Sequence, residues 1–144
     1  MREGRNKRII GTIHEELAAE YLEQKGYRIL ERNYQNRYGE LDLIALRFPN
    51  HIEEQARRKR SKAELFSIPG VSLVICEVKY RTHRGTGDPA EAVTRRKMQH
   101  ICRTAVGYYM EQRLSDSFPC RFDVISILGN GRIRHIEDAF PFLY

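Results

Sequence analysis

The chain has 144 residues, enough for one domain around a single hydrophobic core. Apolar residues make up 41% and charged residues 31%, which excludes a disordered chain, and no apolar run approaches the roughly 20 residues of a membrane-spanning helix. The net charge of +6 fits a polyanionic partner; the basic start, Met1 to Arg8, leads into no signal-like apolar stretch, so a cytoplasmic protein without a membrane partner is expected.

In chain order, Ile10, Ile13, Leu17 and Tyr21 recur at helical spacing and predict a first helix over about 9–25, with Gly26 as its stop. A strand is expected over 27–34 and a turn over 36–39, where Gly39 gives backbone freedom. Further strands are expected over 40–47 and 71–80, both apolar on both faces and therefore central. Between them, 48–70 is bounded by Pro49 and Pro69-Gly70, and 51–66 could form a charged helix. Its basic core includes Arg58, Lys59 and Arg60, which suits either a solvated surface or a nucleic-acid contact.

A basic, glycine-rich loop follows from Arg81 through Arg84 to Gly87. A second long helix is expected from Asp88, with Asp88 as cap, Pro89 at the first position and Glu91 three residues past the cap. Val93, Ile101, Ala105, Val106 and Tyr109 are its expected buried face, and Tyr108-Tyr109 is expected in the core. A strand over 121–128, a tight Gly129-Asn130-Gly131 turn and a strand over 132–137 complete the chain. Helix, three strands, helix, two strands reads as α/β or α+β with a mixed sheet. The cysteines, Cys76, Cys102 and Cys120, are odd in number and widely spaced, which suits neither a disulfide framework nor a zinc site.

Two strands carry charge where apolar residues are expected. Asp42 interrupts Leu41-Asp42-Leu43-Ile44-Ala45, and Glu77-Val78-Lys79 ends Leu73-Val74-Ile75-Cys76. Burying such groups costs several kcal/mol unless they are paired or bind a metal. Glu77 and Lys79, two apart, share a face, as should Glu40, Asp42 and Ile44. If the strands are neighbours, Asp42, Glu77 and Lys79 converge, and hard carboxylate oxygens suit one or two Mg²⁺ or Mn²⁺ ions. Glu15 shares a helical stripe with Ala18, Ala19 and Leu22 and is a candidate third carboxylate. The plainer alternatives are an aspartate bonding a backbone amide, an intrastrand Glu77–Lys79 pair at an edge, and a solvated Glu15.

These residues, with Gly11, Gly26-Tyr27, Arg32-Asn33, Val93, Lys97, Arg121-Phe122-Asp123-Val124, His135-Ile136 and Ala139-Phe140, resemble the YraN family over nearly the whole chain. That family is similar to the PD-(D/E)xK nuclease superfamily and to archaeal Holliday-junction resolvases. The resemblance implies a restriction-endonuclease-like α/β core, a central mixed sheet of about five strands flanked by helices. It implies a single domain over 1–144 with a basic insertion at about 48–70. It also implies metal-dependent cleavage of DNA phosphodiesters, in branched or structured DNA. Asp42, Glu77 and Glu15 would be metal ligands, Lys79 the catalytic lysine, and Arg81 and Lys97 phosphate contacts.

A module that binds nucleic acid without cutting it is the alternative, using the 81–84 loop, Arg95-Arg96-Lys97 and the basic insertion. DNA is favoured over RNA, and a homodimer is expected by analogy with enzymes acting on two-fold symmetric substrates. Two departures from the family pattern stand out. His14 replaces a common glycine beside Glu15, and the 48–70 segment is long enough to fold over the site.

Overall fold

The computed structural model describes residues 2–49, 61–81 and 93–143, and for residues 2–10 the helix alone without side chains. Helix α1 (Arg2–Gln24) starts before the expected residue 9. Its sheet-facing stripe is Ala18, Ala19 and Leu22, all fully buried, because two methyl side chains let the helix lie close to the strands. The apolar spacing of Ile13 and Leu17 is not a buried stripe: they are 52% and 41% exposed. Gly26, with φ of 91°, closes the helix in a left-handed conformation that a side chain would strain.

Five strands follow: β1 (Arg28–Asn36), β2 (Gly39–Arg47), β3 (Ser72–Arg81), β4 (Cys120–Leu128) and β5 (Ile133–Phe140), in the spatial order β1-β2-β3-β4-β5. Pairing is antiparallel except for the parallel β3–β4 pair, so the sheet is mixed. A parallel pair needs a crossover, and the connection carries helix α3 (Arg95–Gln112). Leu43, Ala45, Val74, Cys76 and Ile125 pack with α1 on one face. Ile44, Leu46, Leu73, Ile75 and Phe122 pack with Ile101, Cys102, Ala105 and Tyr108 of α3 on the other. The chain is thus α/β with a five-strand mixed sheet flanked by helices, consistent with a restriction-endonuclease-like core.

The sheet is irregular at three places: the β1–β2 register shifts between Ile29 and Glu31, and two further breaks each seat an aspartate. The β2–β3 ladder runs from Arg47↔Ser72 to Leu43↔Cys76 and stops. Leu41 belongs to the α3 side and Leu43 to the α1 side, although they are two apart. Strict alternation therefore fails at Asp42, and the expected common face of Glu40, Asp42 and Ile44 is lost. The β4–β5 ladder shifts between Phe122↔Phe140 and Val124↔Ile136, with Asp138 at φ 52°.

The 48–70 segment joins the end of β2 to the start of β3. Its described part holds the short helix α2 (Lys62–Phe66), capped by Ser61, whose hydroxyl accepts the Glu64 N–H at 3.2 Å. Leu65 and Ile68 join Phe48 and Val71 in the core. That is the opposite end of the β2–β3 pair from Asp42 and Glu77, so the described part of the segment does not cover them. Arg58, Lys59, Arg60 and Arg84, and the Asp88-Pro89 helix start, lie outside the described residues. Helix α3 begins after Thr94, whose hydroxyl accepts the Lys97 N–H at 3.2 Å. On α3, Val106 is 41% exposed rather than buried, while Tyr108 is fully buried edge-on to Tyr34, with ring centroids 5.0 Å apart.

Candidate functional site

The parallel β3–β4 pair and its crossover helix place the C-terminal end of β3 beside the first turn of α3. Crevices outside the carboxyl ends of parallel strands are where α/β sheets bind ligands. Here the crevice opens because β2 leaves the ladder at Asp42. The freed Val78 N–H donates to Asp42 Oδ2 at 2.8 Å, so a side-chain carboxylate replaces a ladder carbonyl. Gly39 starts the same strand at φ 152°, close against α3: a Cβ there would stand 2.9 Å from Thr104 Oγ1.

Glu77 is 7% exposed on β3, a central strand and not an edge. Lys97 Nζ on α3 lies 2.6 Å from its Oε1, and Lys79 Nζ lies 3.4 Å from the same oxygen. Glu15 on α1 and Lys79 line a cavity of about 360 Å³ with Gly11, His14, Asp42, Glu77, Tyr80 and Lys97. A neighbouring cavity of about 440 Å³ is shared by Asp42, Glu77 and Lys97 and closed by Gly39, Glu40, Thr94, Arg96 and His100. The two carboxylates therefore divide two cavities, one walled by α1 and the other by α3. A larger cavity of about 800 Å³ between the end of α1 and β1, lined by Tyr27, Arg28 and Arg32 among others, is lined by none of these groups.

The electrostatics single out Asp42. Burial and the Glu77 charge push its carboxyl up to about 7, against the lowering effect of the Val78 N–H, and Glu15 adds to the rise. Burial raises Glu15 as well, opposed by a hydrogen bond from Asn33 and reinforced by Glu40 and Glu77. Burial and the nearby Lys97 lower Lys79, although Glu77 works to keep it charged. Lys97 is raised: burial favours its neutral form, but the bond to Glu77 outweighs that.

Asp123 is the instructive contrast. It is buried at a break in the sheet and, like the half-buried Asp42, takes a freed backbone amide, from Asp138 at 3.0 Å. It also accepts two Arg121 bonds of 2.8 Å and faces His135 Nε2 at 2.6 Å. Burial raises its carboxyl, but the bonds from His135, Arg121 and the Asp138 amide outweigh that and hold it below the ordinary value. Asp123 is a satisfied structural charge. Asp42 has the same backbone role with no cation paired to it among the described residues, and it lines both cavities beside a second carboxylate.

Asp42, Glu77, Lys79, Glu15 and Lys97 thus come together, and Arg96 lines the adjoining cavity. Arg81, at the end of β3, lines neither. Both plainer contacts are also present: Asp42 bonds a backbone amide, and Glu77 pairs with Lys79. Among the described residues no three His, Cys, Asp or Glu side chains form a ready metal cage. The donor set is a pair of hard carboxylates. Such a pair fits Mg²⁺ or Mn²⁺, which keep several waters and bind through one or two carboxylates together with substrate phosphate. His100, Asn33 and Gly39 belong to the site and were not singled out from sequence as site residues. Gly39 carried the signal of a turn, and Asn33 entered only through the family resemblance.

The family model described as "Uncharacterised protein family UPF0102" matches residues 14–127, which spans every named lining residue of the two smaller cavities except Gly11. A UPF0102 protein of Lachnoclostridium phytofermentans is 40% identical, covering 94% of this chain and 95% of its own length. One from Syntrophomonas wolfei is 39% identical over 92% of this chain and 98% of its own, and one from Vibrio parahaemolyticus is 35% identical over 93% of each. By this coverage the chain belongs to the UPF0102, or YraN, family.

Proposed function

We propose that the protein is a metal-dependent endonuclease that cuts DNA phosphodiesters, in branched or structured DNA. The observation that carries this reading is the Asp42–Glu77 pair: a half-buried and a buried carboxylate on neighbouring strands, the first pushed up to about 7 by desolvation and the charge of the second, at the divide between two cavities. A pair held in mutual repulsion gains most from a divalent cation. When bound there, Mg²⁺ or Mn²⁺ would polarise the phosphate and lower the pKa of a coordinated water.

Asp42 and Glu77 would hold the ion, and Glu15 lines the smaller cavity with them. Lys79, with its ammonium form disfavoured by burial, is suited to accept or orient a proton of the attacking water. Lys97, paired with Glu77, is placed to hold a phosphate oxygen at the same cavity, and Arg96 would hold a neighbouring phosphate. The test is calorimetric titration with Mn²⁺. Binding by wild type that disappears in Asp42→Ala/Glu77→Ala is expected; equal binding by both proteins sinks the proposal.

A second reading, a nucleic-acid-binding module without hydrolysis, is favoured by one contact. The 2.6 Å Lys97–Glu77 pair already neutralises one of the two carboxylates. That reading expects DNA binding that is indifferent to Asp42→Ala.

A further inference from the structure

We infer that His14 and Tyr80 form a stacking platform for an unpaired nucleobase next to the bond that is cut. The inference rests on the nuclease reading and names the class of nucleic acid the site selects.

The His14 ring on α1 lies on the Tyr80 ring on β3, with centroids 4.1 Å apart and planes 12° from parallel. Tyr80 is nonetheless 41% exposed, a large fraction for an aromatic ring already covered on one face. Both rings line the cavity that holds Glu15, Asp42, Glu77 and Lys79. They come from different elements, so their stacking fixes the orientation of the outer ring. Alternation along β3 points Tyr80 to the α1 side, away from Glu77 and Lys79. The platform therefore flanks the carboxylates without touching them.

A preset aromatic face beside carboxylates and lysines suits a nucleotide: base on the ring, phosphate at the cations. Stacking on such a ring tolerates any base, since every base has a π-face. Within a duplex, both faces of a base are covered by its neighbours. The platform therefore takes a base only from a single strand, a flap, a junction or a frayed end. The smaller cavity, about 360 Å³, has the volume of a small-ligand site. On the other side of the carboxylates, Arg96 and His100 line the cavity that would receive the next phosphate.

The test uses a single-stranded oligonucleotide carrying the fluorescent base 2-aminopurine and the same strand in a full duplex, without divalent cation. Wild type and Tyr80→Phe quench the single-stranded probe as its base stacks. Tyr80→Ala abolishes the quenching and weakens single-strand binding roughly tenfold, while duplex binding changes less than about twofold. His14→Ala, which removes the supporting ring, weakens the single strand in the same selective way. Equal losses on both probes, no loss, or no quenching by wild type overturns the platform. Cleavage is scored separately with Mn²⁺. Ring-dependent quenching without cutting overturns the nuclease reading alone, and cutting of both probes unchanged in Tyr80→Ala overturns the platform alone.

Discussion

At the scale of residues, two aspartates inside the sheet, Asp42 half-buried and Asp123 buried, divide its work. Each fills a gap in a hydrogen-bond ladder, and only Asp123 has Arg121 and His135 to neutralise it. A carboxyl raised from 3.8 to about 7 binds its proton more tightly in the folded state. The fold therefore loses stability as pH rises through that window. Asp42→Asn removes the charge and keeps an oxygen for the Val78 N–H. Without divalent cation it should be more stable than wild type at pH 8 by about 1–3 kcal/mol, the difference shrinking towards pH 4. Urea unfolding at both pH values checks this; a variant less stable at pH 8 contradicts it. Asp42, Glu77, Lys79 and Glu15 were legible in the sequence because charge inside an apolar run, or on a small-residue stripe, stands out. His100 and Asn33 were not, because an isolated polar residue on a helix or strand carries no local signal of what it faces.

At the scale of elements, strand β4, strand β5 and the end of α1 are fastened by one buried network. Arg121 joins Asp123 to the Tyr27 hydroxyl at 2.8 Å, and His135 joins it to the Tyr21 hydroxyl at 3.2 Å. Asp123→Ala removes the buried carboxylate from the half-buried Arg121, leaving it Glu137 and the Tyr27 hydroxyl, and should cost about 3 kcal/mol at pH 7, measured by urea unfolding. A loss under about 1 kcal/mol would contradict that role. Because the Asp123 carboxyl is held below its ordinary 3.8, the stability it contributes is present above about pH 4 and lost as pH falls through its folded value. All five strands were readable: β2, β3 and β4 as apolar runs bounded by turn residues, β1 by its partial alternation and β5 by the Gly129-Asn130-Gly131 turn before it. The breaks in the ladders were not. Strand β2 is apolar on both faces, so a change of face at Asp42 leaves its pattern of apolar residues unaltered. The first helix misled in part for a related reason: Ile13 and Leu17 match helical spacing as well as Ala18 and Leu22 do, and only packing separates them.

At the scale of the whole molecule, the strand order could not be read. A mixed sheet follows from helices interleaved with strands, but the parallel β3–β4 pair that opens the site needs long-range pairing no local pattern encodes. The +6 net charge was legible, and its placement was not: Arg96 and Lys97 stand at the cavities, whereas Arg81 lines neither. DNA binding should weaken with salt, and Arg96→Ala should lower the slope of log affinity against log salt by about one. Fluorescence anisotropy across a salt series reads that slope, and an unchanged slope would remove Arg96 from the phosphate contacts.

The central claim is that Asp42 and Glu77 together support phosphodiester cleavage. The most direct test incubates a branched DNA with Mn²⁺ and wild type, Asp42→Asn or Glu77→Gln, and follows strand scission on a denaturing gel. Cutting by wild type that falls at least about a hundredfold in each variant is the predicted result. No cutting by wild type, or cutting that survives either substitution, would contradict the account.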